Sequence, residues 1–337
     1  MRLLVCGIDG LSPHALSEHR RVMPTIGGFE HRADVRTDVA LSRAAWVSMA
    51  TGLRPGRHGV GKAGAVGGWE RDDIEADGLL YQVLNEYGYS VGWCRVPVSS
   101  HPPTAIDGWM AGDGPSPPTV WPQRLANLYD PGPSAVAALK GVAVGNEEPE
   151  RVAACHQALW PAARQALHAE LSSALRLISA EPVDVLFCYF GLTSAIQHHC
   201  LHDAGTMRAM HDWVDRAVRT LIEACDPADT IVVSDHGMRR VRADDFEARK
   251  VDGTWMIRAE RGRTASYHSG ARRSPGVVVS TFDVADAIYP EDVFALACRR
   301  CGIPDDELVG LDCHPGCCEP GDEADGIERQ LRALGYI

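Results

Sequence analysis

Five short apolar runs, each closing on polar or glycine-rich residues, constrain this chain more than any other feature. They are RLLVCGID (2–9), SVGWCRVPV (90–98), VDVLFCYFG (183–191), TIVVSDHG (230–237) and PGVVVSTF (275–282). Runs that stay apolar at consecutive positions suit strands covered on both faces, as in a parallel sheet. Helical patterns fill the spaces between them. DGLLYQVLNEYGY has apolar residues at helical spacing and a stop at Gly88, and segments 162–181 and 207–225 are longer amphipathic patterns. Strands alternating with helices predict an α/β fold with a mostly parallel, doubly wound sheet.

Segment 99–150 breaks the pattern. It is rich in Pro, Gly and Ser and has no clear period. It reads as a loop-rich insertion over one end of the sheet. Trp109, Met110 and Trp121 argue against a disordered linker, because such residues pack. A chain of 337 residues with 45% hydrophobic content is long enough for one large domain plus an inserted lobe. Its formal net charge of -12 disfavours unspecific binding to nucleic acid or to an anionic membrane. No run reaches the roughly 18 apolar residues of a membrane span. The opening MRLLVCGIDG is too short in its apolar part for a secretory leader and reads as the first core strand of a cytoplasmic protein. The 11 cysteines then read as reduced thiols.

In open α/β sheets, ligands bind beyond the carboxyl ends of the strands. Asp9 closes the first run, His198 follows the run 183–191, and Asp235 and His236 close the run 230–234. His268 stands in TASYHSGARRSPGVVV, just before another strand. Carboxylates and imidazoles suit divalent zinc, manganese or iron. Taken singly, an Asp at a strand end is an ordinary turn or cap residue, and a lone His an ordinary packing residue. Together they fall at one edge of one sheet. Ser42 is the candidate nucleophile, since coordination to a metal can activate a hydroxyl that is weak at neutral pH. It is equally a helix N-cap before RAAWVSMATG; the two readings are compatible, because a helix N-terminus also offers N–H groups to phosphate oxygens.

LLVCGIDG, MPTI, SRAAWVSMATGLRPGRHGV, VVSDHGM and a late YHSG before PGVVV, in that order, resemble the alkaline phosphatase superfamily, and within it the type I phosphodiesterase/nucleotide pyrophosphatase branch. The resemblance covers roughly residues 1–310. It implies an alkaline-phosphatase-like three-layer α/β/α domain over 1–310, with a loop-rich cap inserted at about 60–160 and a Cys-rich extension over 311–337. It also implies a metal-dependent phosphoric ester hydrolase with two divalent ions, zinc first and manganese or iron as alternatives. Asp9, Ser42, Asp235 and His236 would surround one ion, and His198 and His268 would bind the second. Ser42 would attack phosphorus in a small phosphorylated substrate, and water would then release the phosphoserine. No nucleic-acid or membrane partner is implied, and nothing points to an oligomeric state.

Two positions depart from the pattern of that branch. The aspartate usually four residues before the second-site histidine is Ser194, and the asparagine often three residues after the nucleophile is Ala45. Three readings stay open: Asp203, His199 or His202 supplies the missing ligand; the second ion binds weakly through His198, His268 and water; or the site uses one ion or has lost hydrolysis. A phosphomutase or phosphotransferase, and a non-catalytic metal- or ligand-binding pseudoenzyme, are the alternatives to a phosphodiesterase/pyrophosphatase. A sulfatase is disfavoured, because SRAAW lacks the Pro and Arg of the formylglycine motif.

Weaker features remain. Cys298, Cys301, Cys313, His314, Cys317 and Cys318 read as a structural zinc site or as ordinary core thiols, with a spacing that matches no standard finger. His58 reads as a packing or hydrogen-bonding residue. Arg43 and Lys62 read as anion contacts or solvated charges. AGAVGG (63–68) lacks the Gly-Lys-Ser/Thr ending of a phosphate-binding loop.

Overall fold

The sheet is built outward from the first apolar run. The structure, a computed structural model, describes residues 1–37, 42–60, 78–97, 105–112, 120–130, 149–245, 248–251, 253–261, 264–304 and 308. Lys62, the glycine-rich 63–68 and the Cys-rich 311–337 lie outside the described residues.

The strands are β1 (Leu3–Ile8), β2 (His31–Val35), β3 (Val91–Cys94), β4 (Gly108–Ala111), β5 (Val120–Trp121), β6 (Val185–Phe190), β7 (Asp229–Val233), β8 (Gly237–Arg240), β9 (Ala248–Val251), β10 (Thr254–Arg261), β11 (Thr264–His268), β12 (Gly270–Arg273), β13 (Gly276–Ser280) and β14 (Ala287–Ile288). The α-helices are α1 (Pro13–Glu18), α2 (Ser42–Thr51), α3 (Pro55–His58), α4 (Leu80–Glu86), α5 (Pro149–Ala180), α6 (Leu192–Cys200), α7 (Ala204–Cys225) and α8 (Asp292–Arg300). Among the described residues, nine strands form one sheet in the order β14-β2-β13-β7-β1-β6-β3-β4-β5. The central strands β7, β1, β6, β3 and β4 run parallel, while β13 and β5 run antiparallel to their neighbours. β9, β10 and β11 make a second small sheet, and β8 and β12 a two-stranded ribbon.

β1 is buried at every position. Because side chains alternate along a strand, its two faces meet different helical layers. Leu4, Cys6 and Ile8 join a core with Leu167 and Leu177 of α5 and Val214 and Leu221 of α7. Leu3 and Val5 join a core with Trp46 of α2, Leu84 of α4 and Phe294 of α8. This makes three layers and explains why the strand sequences read as continuous apolar runs. Each fully buried Leu, Val or Phe contributes about 1.5–3 kcal/mol.

The segment expected to cover one end of the sheet divides differently. β4 and β5 extend the sheet at its edge, and Trp109 is fully buried with its indole N–H donating to the Glu181 carbonyl at 3.0 Å. The physical reason is the apolar content of Gly108–Ala111, all buried, in a segment otherwise rich in turn residues. Residues 131–148 lie outside the described residues. Cys298 and Cys301 are buried core thiols at the end of α8, as the simpler reading of the CxxC had it. No helix among the described residues is long and apolar enough to cross a membrane.

One glycine ties the sheet to the polar edge. An ideal Cβ on Gly276 would lie 2.1 Å from the Ser234 carbonyl oxygen and 2.7 Å from the His236 nitrogen. Both obstacles are backbone and cannot swing aside. Gly276→Ala is therefore expected to lower stability by about 2 kcal/mol or more, in the upper range of overpacking costs. A thermal melt checks this; a midpoint equal to the wild type would contradict the close approach.

Candidate metal centre and nucleophile

Three neighbouring strands, β7, β1 and β6, end at one edge and deliver the site. Asp9 follows β1, Asp235 and His236 follow β7, and Ser42 is the first residue of α2. All four are buried. The Ser42 hydroxyl is 2.8 Å from His236 Nε2 and donates to Asp9 Oδ1 at 3.3 Å. His236 Nε2 is also 3.2 Å from Asp9 Oδ1 and 3.7 Å from Asp235 Oδ2. Its Nδ1 is 2.9 Å from the Gly237 carbonyl. A proton on Nδ1 held by that carbonyl leaves Nε2 pointing at Ser42 and the carboxylates, where it donates when protonated and would offer its lone pair to a metal, the common orientation of metal-bound histidines.

The electrostatics of this group call for a cation. Neither Asp235 carboxylate oxygen has a hydrogen-bond partner among the described residues, although both are shielded from solvent. Burial and then the Asp9 charge push the Asp235 carboxyl up to about 7. Burial also opposes ionisation of Asp9, but the hydrogen bond and charge of His236, helped by Arg272 and Tyr189, hold it below the usual carboxylate range. Burial disfavours the His236 imidazolium, yet the Asp235 and Asp9 carboxylates outweigh it and raise its pKa. Among the described residues, Asp9, Asp235 and His236 are the one group of three or more whose donor atoms all lie within 4.8 Å of one another. Two buried carboxylates, one with nothing to bond, and an oriented imidazole fit a divalent cation.

This has a pH signature. In the metal-free protein, the Asp235 carboxyl binds a proton in the folded state up to about pH 7, whereas unfolded it releases one near pH 3.8. The folded state thus holds the extra proton between these values, and stability falls as pH rises through that window. His236, raised from 6.5, acts in the same direction. Relative to chelated Asp235→Asn, which lacks this proton, the melting temperature of the chelated wild type is expected to drop from pH 5 to pH 8, and a divalent metal is expected to reverse the drop. A difference between the two proteins that stays flat or rises with pH would contradict the coupling.

The second half of the site is thinner. His198 lies one turn after Ser194 on α6, which places the two on one face of the helix. Its Nδ1 is 3.1 Å from the Gly270 carbonyl, and its Nε2 is buried without a hydrogen-bond partner among the described residues. Burial, then the Arg272 charge, hold its pKa well below the ordinary value, so the ring is a neutral donor. The His198 and His268 ring centroids are 5.1 Å apart.

The structure separates the three replacements for the missing carboxylate. Asp203 is the N-cap of α7; its Oδ1 accepts from Gly205 N at 2.9 Å and Thr206 N at 3.3 Å, and its Oδ2 from the Thr206 hydroxyl at 2.7 Å. That carboxylate is exposed and already used. His202 lies beyond the end of α6, so it shares no helix face with His198, and its Nδ1 is 2.9 Å from Ser269 Oγ. His199 has its ring 4.7 Å from that of His268. None of these makes a three-donor group with His198 and His268 within 4.8 Å.

Tyr189 was missed from sequence. Its hydroxyl donates to Asp9 Oδ2 at 2.7 Å, and its ring packs on Trp46 of the nucleophile's helix at 4.6 Å. Its only signal was an aromatic hydroxyl at the last turn of an apolar strand. His58 is buried and hydrogen-bonded to Ser48 Oγ at 3.0 Å, a structural residue as expected. Ala45 is buried one turn into α2, and Arg43 is exposed. A cavity of about 670 Å³ lies nearby, lined by Ser12, His19, Gln197, His211, Arg240 and Arg273 among others, but Asp9, Ser42, His198, Asp235, His236 and His268 do not border it.

Ser42, at a helix start, is thus held against the Asp9 carboxylate and His236, with Asp235 beside them, at the edge of a parallel sheet. The family model for type I phosphodiesterase/nucleotide pyrophosphatase matches residues 3–259, and the chain belongs to that family. Solved structures agree on the fold. An inactive variant of murine ectonucleotide pyrophosphatase/phosphodiesterase 5 in complex with AMP superposes with a TM-score of 0.52 at 14% identity, covering 90% of this chain and 95% of that one. The human ectonucleotide pyrophosphatase/phosphodiesterase 5 gives 0.52 at 11% identity, covering 90% and 96%. No curated protein matches the chain.

Proposed function

We propose that the chain is a metal-dependent phosphohydrolase that cleaves a phosphodiester or pyrophosphate bond in a small, nucleotide-like substrate through a covalent intermediate on Ser42. The observation that carries this is the contact of the Ser42 hydroxyl with His236 Nε2 and Asp9 Oδ1 beside the unbonded Asp235 carboxylate. Asp9, Ser42, Asp235 and His236 would hold one divalent cation, zinc before manganese or iron. When bound, the cation lowers the pKa of the serine hydroxyl and neutralises charge on phosphorus-bound oxygens. His198 and His268 would hold a second cation, which lacks a carboxylate at Ser194.

Ser42 Oγ forms a bond to phosphorus as the bond to the leaving alcohol breaks, and the serine proton ends on that alcohol. Water then adds to phosphorus from the opposite side and restores the hydroxyl, releasing the monoester. Asp9 positions Ser42, and Tyr189 positions Asp9. The N-terminus of α2 directs its first N–H groups toward the phosphoryl oxygens. The AMP bound to the structural neighbour supports a nucleotide-sized substrate.

The test is hydrolysis of bis(p-nitrophenyl) phosphate and of dinucleotide pyrophosphates, with and without chelation. Turnover that disappears with chelator and returns with zinc or manganese supports the reading. Tight metal binding with no turnover of any phosphoester favours a binding protein instead.

A further inference from the structure

The ribbon strand β12 is wedged between the two halves of the site. At its start, the Gly270 carbonyl is the partner of His198 Nδ1, and Gly270 lies so near α6 that an ideal Cβ would be 2.4 Å from the Gln197 carbonyl oxygen. Two residues on, Arg272 pairs across the ribbon with Met238. Met238 Cγ in turn is 3.4 Å from where a Cβ on Gly10 would stand, next to Asp9. Residues two apart on a strand share a face, and cross-strand partners do too. Arg272 therefore shares a ribbon face with Gly270, the partner of His198, and with Met238, the neighbour of Gly10 beside Asp9, and its Nε is shielded from solvent.

We propose that the Arg272 guanidinium binds the non-bridging oxygens of the transferring phosphoryl group, on the side of the site where Ser194 leaves a second cation without its carboxylate. This rests on the phosphoryl-transfer reading given above. A guanidinium is always charged, and its planar fork matches two phosphoryl oxygens. A fixed positive charge there supplies part of what a second cation would, and needs no carboxylate to hold it. Ala45 offers no side-chain donor in the neighbouring helix turn, so the task falls to another element. Arg272 gains and loses no proton. It donates hydrogen bonds while Ser42 Oγ bonds to phosphorus, the leaving oxygen departs and the serine proton passes to the leaving alcohol.

The experiment compares wild type, Ser42→Ala, Arg272→Ala and Arg272→Lys, metal-loaded, by bis(p-nitrophenyl) phosphate turnover, orthovanadate affinity by calorimetry, and metal equivalents per chain. Arg272→Ala is expected to lower kcat/KM by about 10²–10³-fold, the effect of removing one transition-state donor. Orthovanadate is expected to bind about tenfold or more weakly, with metal content and melting temperature unchanged. Arg272→Lys should recover only part of the loss, and guanidinium added to Arg272→Ala should restore some turnover. If Arg272→Ala stays within about threefold of wild type while Ser42→Ala is inactive, Arg272 does not bind the phosphoryl group and only this inference fails. If Arg272→Ala loses its metal together with its activity, its role is to balance charge, which also overturns the inference. If Ser42→Ala retains full turnover, the covalent reading itself fails, and orthovanadate binding alone decides for Arg272. Unchanged or absent orthovanadate binding overturns it.

Discussion

Ser42→Ala is expected to lower kcat by about 10⁴-fold or more, because removing a covalent nucleophile leaves only positioning and charge stabilisation. The physical case is local. Among the described residues, Ser42 Oγ is the one atom hydrogen-bonded to both His236 Nε2 and Asp9 Oδ1. Three donors remain after the substitution, so the variant should keep its metal. It should also keep its affinity for a phosphate monoester, apart from the loss of the hydroxyl contact. A loss of activity with metal and product binding retained separates the missing nucleophile from a collapsed site. Rapid kinetics with a chromogenic diester, together with calorimetry using AMP, checks both halves. Turnover within tenfold of wild type would remove Ser42 from the chemistry.

Asp235→Asn is expected to produce the second large effect. The side chain keeps its volume and loses its charge. Its carboxylate has no hydrogen bond to lose among the described residues, so a structural role alone predicts little change. As a metal ligand it predicts much more. Losing even the outer partners of metal ligands costs about 10–100-fold in metal affinity or activity. Removing a charged ligand should exceed that and lower turnover at limiting metal by about 10³-fold. The metal-free variant should meanwhile melt no lower than metal-free wild type at pH 8, because the repulsion between Asp9 and Asp235 is relieved. The rise in melting temperature on adding zinc, present in wild type, should shrink or vanish. Equal metal-induced stabilisation in the two proteins would show that Asp235 is not a ligand.

Much of this was legible in the sequence because the signals were strong ones. The five apolar runs became β1, β3, β6, β7 and β13, since burial on both faces demands apolar residues at every position. Asp9, Ser42, Asp235 and His236 came together because each directly follows or opens an element at the same sheet edge. β4 and β5 were not legible, because four and two residues within a Pro- and Gly-rich stretch carry no period. Tyr189 was hidden inside an apolar run, where an aromatic reads as core. Arg272 was hidden as one of two adjacent arginines in a polar segment, and only the pairing of β12 with β8 gives it a direction. Asp203 looked like a spare ligand, and its capping of α7 uses bonds that sequence spacing alone does not distinguish from metal contacts.

The most direct test of the central claim is the mass of the peptide containing Ser42 after acid quench during steady-state hydrolysis of a phosphodiester. A covalent mechanism predicts a phosphoryl monoester adduct on Ser42, absent from Ser42→Ala and absent when metal is chelated before mixing. A wild-type enzyme turning over at full rate with an unmodified Ser42 peptide, under conditions where formation of the adduct outpaces its hydrolysis, would contradict it.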